Sequence, residues 1–530
     1  MLTRKVLSSP EGNHSMSDTS VRRKSFFDEL GFSKAIEAVC GEITSLYLAD
    51  NSPWVIGYSG GKDSTAVTQL VWTALSQLES SKKNHKPVYV ITTDTLVENP
   101  VVAAWVRSSL DAMRRESQHQ ELPFVPELLE PPPNDSFWVN LIGRGYPAPR
   151  PGFRWCTERL KIKPTSRFIE NTASRFGEAI LLIGARKAES ATRSASLSRR
   201  QSLTKEGLTA HPDLVSTLVY APIQDWSNDD VWTYLMRAQN PWGTSNKDLM
   251  SIYRGATEDN ECPIVVDTTT PSCGNSRFGC WVCTLVEQDK SMKAMIQNDV
   301  DKSWMRPLLE LRNELDFRGE IQREKDVKRR EFRRMNGIPT INRTGDALIP
   351  GPYTQEARAE WLRKVLTAQT EIRKNPKAPQ HVKLIELITP AELEAIRRIW
   401  NNDKNELEDL LPGIYEAATG EPFVAEDEYH PQIDGKGLAL LLDVAGEDRL
   451  HYETVRNLLA VESAFRSKSN VKASRGLFKE LQSVIEKGYF KNADDAFEWA
   501  KLRGVRELEE GNASGELPGD PAPSANGLIP

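Results

Sequence analysis

Two alternating rhythms of apolar residues run through the first 240 positions. Residues 26–50 space them as one face of a helix, with Cys40 on or near that face. The run WVIGYS at 54–59 reads as a short strand. After a Gly-Gly turn, Ala66, Val67, Leu70, Val71, Ala74, Leu75 and Leu78 recur at helical spacing. The pattern repeats as a strand at 88–94, a helix at 101–116 and a strand at 124–130. A Pro/Gly-rich loop follows at 143–155, then a helix at 165–177 and the wholly apolar strand AILLIGA at 179–185. A run apolar on both faces is what a central parallel strand requires. The order predicts an α/β doubly wound parallel sheet over 25–240.

Residues 186–217 are rich in Arg, Ser and Lys and read as a mobile loop. A strand and a helix then follow, the helix capped by Ser227 with Asp230 three residues on. Residues 241–345 hold a cysteine-rich segment and a charged helical stretch. Residues 346–507 carry several helical patterns and predict an all-α region. Residues 1–24 and 508–530 lack periodicity and read as a disordered arm and tail.

Composition narrows the setting. The chain has 530 residues, a net charge of −6 and six cysteines, too few for a disulfide scaffold. No apolar run reaches membrane-spanning length and the first residues lack the apolar core of a secretory signal, so a cytoplasmic protein with no membrane partner is expected. The acidic balance argues against a uniformly basic nucleic-acid coat but leaves room for a local basic groove.

Chemistry concentrates in three places. Ser59-Gly60-Gly61-Lys62-Asp63-Ser64 joins a strand to a helix. Its glycines let backbone approach a phosphate, which the free amides of the helix start bind. Ser59 and Ser64 add hydroxyls and Lys62 a charge. Asp63 suits a magnesium ion or a helix cap. The spacing is not that of a Walker loop.

Four of the six cysteines, Cys262, Cys273, Cys280 and Cys283, fall within 22 residues. Four thiolates hold a [4Fe–4S] cluster or structural zinc. A single CxxC pair with uneven spacing favours the cluster. Cys156 lies among Arg154, Arg159 and Lys161, cations that lower a thiol pKa. It reads as a persulfide carrier or active-site thiol, with a structural cysteine or an alternative cluster ligand as the other readings. Finally, residues 318–334 are strongly basic. Lys325, Arg329 and Arg333 would share a helix face that could neutralise DNA phosphates, or form a solvated face with internal ion pairs. The Arg/Ser stretch 193–205 is a second candidate for phosphate contacts.

The 59–64 loop resembles the SGGxDS pyrophosphate loop of the N-type ATP pyrophosphatases, which cleave ATP between the α and β phosphates. Further elements resemble the phosphoadenosine phosphosulfate (PAPS) reductase-like group. They are Thr93-Asp94-Thr95 with Glu98; Arg154-Trp155-Cys156-Thr157 with Lys161, Lys163 and Pro164; Gly184-Ala185-Arg186 with Glu189, Ser190 and Arg193; and Asp225-Trp226-Ser227 with Asp229, Val231 and Trp232. With four cysteines and a helical region after it, the whole is similar to the DndC family, the sulfurtransferase component of bacterial DNA phosphorothioation.

That resemblance implies ATP and Mg²⁺ held by Ser59–Ser64, Asp94, Arg186, Glu189 and Arg193. It implies Lys62, Asp63, Cys156 and Arg186 in catalysis and a [4Fe–4S] cluster on Cys262, Cys273, Cys280 and Cys283. The partners it implies are DNA, a cysteine desulfurase as sulfur donor, and the phosphorothioation proteins DndD and DndE. Asp94, at a strand's carboxyl end, lies where such sheets bind ligands; a helix-capping role is its other reading. An ordinary PAPS reductase is about half this length and has a reactive cysteine near its C-terminus. Here Cys283 is the last cysteine, which argues against simple sulfonucleotide reduction. A PAPS reductase, a tRNA thiolase and a non-catalytic nucleotide-binding scaffold are the alternatives.

Overall fold

The computed structural model describes residues 25–189, 207–254, 279–425, 433, 435–466 and 473–514. A six-stranded sheet organises the first half: β1 (Trp54–Gly57), β2 (Val88–Thr93), β3 (Phe124–Leu129), β4 (Ala179–Leu182), β5 (Thr209–Ala210) and β6 (Thr217–Tyr220). The strand order is β3-β2-β1-β4-β6-β5. All neighbours are parallel except the β5–β6 pair. The chain builds outward from β1 through β3, then returns to place β4 on the other side of β1. That reversal opens a crevice at the carboxyl ends of β1 and β4, where α/β sheets take their ligands.

Period-two alternation explains how both faces are covered. Ile56, Ile180 and Leu182 enter one core, under α1 (Phe32–Ala49), α2 (Lys62–Ser76), α3 (Pro100–His119), α5 (Asn228–Arg237) and α6 (Asn246–Arg254). Their neighbours Val55 and Leu181 point the other way, into a smaller core with Ile91 and with Ile169 of α4 (Lys163–Phe176). The expected doubly wound sheet is therefore present.

The expected helix over 26–50 begins only at Phe32, because Gly31 stands before it with φ of +73°. Residues 25–27 instead dock on α5. Ser25 Oγ donates to Asp230 Oδ1 at 2.5 Å, and Phe26 and Phe27 pack on Trp226. The stretch read as one loop over 186–217 contains β5, held by the antiparallel ladder to β6 and by His211 N donating to Thr217 O at 2.8 Å. Two residues are too few to show a period, so backbone pairing alone makes this strand.

A third core joins parts that the sequence separates. It contains Val97, Trp138, Trp155, Trp281, Trp304, Leu362 and Trp400. Two buried indoles tie the segment after β3 to the C-terminal helices: Trp138 Nε1 donates to Leu387 O at 2.7 Å and Trp400 Nε1 to Ile142 O at 3.0 Å. The helical region, including Gln355–Lys374 and Pro390–Arg398, is thus part of the wall that carries Cys156 and Cys280.

The basic stretch differs from its expectation. Its helix spans Glu320–Lys328 and stops, because Arg330 turns back to donate to Gly351 O and Pro350 O. Arg329 lies over the Trp361 ring and pairs with Glu360, and Arg333 pairs with Glu453 at 2.6 Å. No continuous stripe of Lys325, Arg329 and Arg333 forms, and two of the three cations are spent on internal ion pairs.

Candidate nucleotide and thiol site

The loop after β1 opens the crevice. Gly60 has φ of +74°, and a Cβ there would meet Val106 Cγ2 at 2.4 Å. Only glycine fits that turn and that approach. Ser59 N donates to Ser64 Oγ at 3.2 Å, and Trp105 Nε1 donates to Gly60 O at 3.1 Å. These bonds fix the loop from both sides before any ligand arrives. Lys62 opens α2, and its amide donates to the Tyr253 hydroxyl at 3.1 Å.

From β4, on the other side of the crevice, comes Arg186. Its Nε lies 2.5 Å from Asp63 Oδ1, while Lys62 Nζ lies 3.0 Å from Asp63 Oδ2. The three residues are only 7%, 3% and 4% exposed for Lys62, Asp63 and Arg186. Gly184 permits this meeting, since a Cβ there would come within 2.9 Å of the Asp63 carbonyl carbon. Gly61 is the N-cap of α2, and Asp63 lies in the helix's first turn. Its carboxylate faces two cations, Lys62 and Arg186.

Asp94 closes β2 at the same edge. Its Oδ2 pairs with Arg107 at 2.7 Å and its Oδ1 accepts from Leu96 N at 2.9 Å. The second bond holds Leu96 in a left-handed conformation, φ 64°. Helix α3 is capped by Asn99 instead. The tight turn directs Thr95 and Glu98 away from Asp94 and toward a thiol. Thr95 Oγ1 lies 3.3 Å from Cys280 Sγ, and Cys280 Sγ lies 3.8 Å from Glu98 Oε1. Lys161 Nζ reaches the same Glu98 oxygen at 3.6 Å. A Glu98–Cys280 bridge and Trp281 N donating to Val97 O at 2.9 Å seat the thiol strand there.

Cys283 follows in a turn whose amide donates to Cys280 O at 3.0 Å. Buried Arg312 pins that turn by donating to Cys283 O at 3.0 Å. Two of the four thiols expected to hold a cluster, Cys280 and Cys283, thus share one turn. Cys262 and Cys273 lie outside the described residues, as do Ser190, Arg193 and the rest of 193–205. Among the described residues no three His, Cys, Asp or Glu side chains converge on a metal position. Glu189 ends a one-turn helix at Lys187–Glu189.

Cys156 is half-buried against the third core. Two of the three cations expected beside it have acidic partners: Arg159 pairs with Asp135 at 2.7 Å and Lys161 with Glu98. Charge on those side chains is therefore shared with carboxylates. Asp225-Trp226-Ser227 and its followers have a structural role. Ser227 and Asp230 form the expected capping box, and Trp226 is buried. Trp232 packs edge-on against Tyr253 at 5.1 Å. Tyr253, Arg107 and Arg312 carry no sequence motif and emerge only from the fold.

The fold and this edge define an α/β domain with a doubly wound sheet and a thiol segment docked beside the sheet edge that bears the 59–64 loop. Residues 53–285 match the family model of the phosphoadenosine phosphosulfate reductase domain. An uncharacterized protein of Methanocaldococcus jannaschii is 25% identical over 264 residues, which cover 50% of this chain and 42% of that protein. The matched residues make up less than half of the chain and include the whole sheet and the 59–64 loop, so the likeness is to a PAPS reductase-like domain. No helix among the described residues is long and apolar enough to cross a membrane.

Proposed function

We propose that the chain is the ATP-dependent sulfurtransferase of DNA phosphorothioate modification. The observation that carries this reading is the placement of Cys280 on Thr95 and Glu98, at the carboxyl end of β2, on the sheet edge that bears the 59–64 loop. Sulfur and nucleotide chemistry then share one crevice. Lys62 and Arg186 exchange the Asp63 carboxylate for phosphate oxygens when ATP enters, and Asp63 is left to meet Mg²⁺. A non-bridging oxygen of a DNA phosphate attacks the α phosphorus. A P–O–P bond forms, the α–β bridge breaks and pyrophosphate leaves. Hydrosulfide then attacks the activated DNA phosphorus, a P–S bond forms, and AMP leaves with the bonding electrons.

Cys262, Cys273, Cys280 and Cys283 would hold a [4Fe–4S] cluster, which supplies sulfur handling beside the nucleotide. Sulfur comes from a cysteine desulfurase as a persulfide, which a thiol reductant cleaves to hydrosulfide while the two thiol sulfurs join as a disulfide, and DndD and DndE are the further partners. The test is to incubate the purified chain with DNA, ATP, Mg²⁺, cysteine, a desulfurase and those partners, digest the DNA with nuclease, and seek phosphorothioate dinucleotides by mass spectrometry. Their appearance only with ATP supports the reading. If none forms, but the chain binds a sulfonucleotide tightly and reduces it, the match to the reductase domain identifies the activity instead.

A further inference from the structure

The amide of Lys62 is the first in α2 and one of the groups a phosphate would take, yet it already has an acceptor. It donates to the Tyr253 hydroxyl at 3.1 Å, a side chain from α6 and 191 residues away in sequence. The Lys62 ammonium lies over the same ring, 5.6 Å from its centroid. Trp232 holds that ring edge-on from α5, and the ring is buried in the core beneath the helices. One tyrosine thus meets both the amide and the ammonium of the lysine. Its oxygen accepts where an anionic oxygen would accept.

We propose that the Tyr253 hydroxyl occupies a phosphate-oxygen subsite of the loop and must leave it when a polyphosphate binds. This rests on the nucleotide reading of the 59–64 loop given above. A phosphate oxygen is the stronger acceptor for the amide, because it is charged. The exchange gives up one neutral hydrogen bond, and the affinity of the chain for polyphosphate is lower by that amount. Tyr253 is then a positioning residue. It keeps the loop amide in place and satisfied in the empty protein and weakens binding of ligands too poor in charge to displace it.

Tyr253→Phe keeps the ring on Trp232 and in the core and removes only the oxygen. The test measures inorganic pyrophosphate and ATP binding, with Mg²⁺, to the full chain and to Tyr253→Phe by calorimetry. Hydrogen exchange of the Lys62 amide is followed alongside. The variant should bind pyrophosphate tighter by about 2- to 10-fold, the fold-change matching one neutral hydrogen bond. Its Lys62 amide should exchange faster without ligand and become protected again with it. A merely structural residue would not raise affinity when altered. Equal or weaker binding by the variant overturns the inference and leaves the nucleotide reading intact. Failure of the unaltered chain to bind either anion overturns both.

Discussion

Arg186 Nε stands 2.5 Å from Asp63 Oδ1, a contact between the segment leaving β4 and the first turn of the helix after β1. The ion pair closes the reversal point of the sheet, and on the proposed function the same two groups would receive the nucleotide. Removing one partner takes a buried charge's close counter-ion away. Arg186→Ala should destabilise the fold by about 3 kcal/mol, the lower end for a broken buried pair, since Lys62 still faces Asp63. Asp63→Ala removes the carboxylate that both buried cations face and should cost at least as much. Urea unfolding of the two variants and of the double variant checks this. The double variant should lose less than the sum of the singles by about 1 kcal/mol or more.

Gly60 is constrained twice, by its φ of +74° and by the closeness of Val106. Gly60→Ala should cost about 1–2 kcal/mol for the left-handed backbone alone. The Val106 contact then forces the loop to shift, so ATP binding should fall with stability. Calorimetry and unfolding on the same sample separate the two effects.

Cys40 packs against α2 within the sheet's larger core, and burial pushes its thiol up to about 11. At pH 8 almost none is thiolate. Iodoacetamide should leave Cys40 unmodified in the native chain and label it only after denaturation, as peptide mass spectrometry would read. The sequence placed Cys40 on an apolar helix face, and this outcome follows from that placement.

Asp230 links the capping box of α5 to residues 25–27. Burial works against its charge, but hydrogen bonds from Ser25, Ser227 and the Phe26 amide outweigh it, and its carboxyl sits below the usual value. A depressed acid contributes stability that is fully present above its unfolded pKa of about 4 and is lost as pH falls through the lower folded value. The stability difference between the native chain and Asp230→Asn should therefore be constant above about pH 5 and shrink below about pH 4. A difference independent of pH down to acid unfolding would contradict this.

The sheet was legible because each parallel strand is a short apolar run followed by a helix with a clear apolar face. The 59–64 loop and Arg186 were legible because both lie where a strand ends. Tyr253 was not, since its partner, the Lys62 amide, is backbone and lies 191 residues away. The expected activation of Cys156 weighed nearby cations by sequence distance, and folding gives Arg159 and Lys161 acidic partners from other segments. In the basic stretch the ion-pair reading fits Arg329 and Arg333, and the continuous stripe does not form. A helical wheel assumes that the helix continues, and this one stops at Lys328. The sharing of one core by Trp138, Trp281 and Trp400 could not be read from spacing, because those residues are over a hundred positions apart.

The most direct test of the account follows the fate of the α phosphate. ATP labelled there is incubated with the chain, Mg²⁺, DNA and the sulfur donor, and the products are separated. The account predicts AMP with an equal amount of pyrophosphate, abolished in Lys62→Ala. Release of ADP, or AMP formation unchanged in Lys62→Ala, would contradict it.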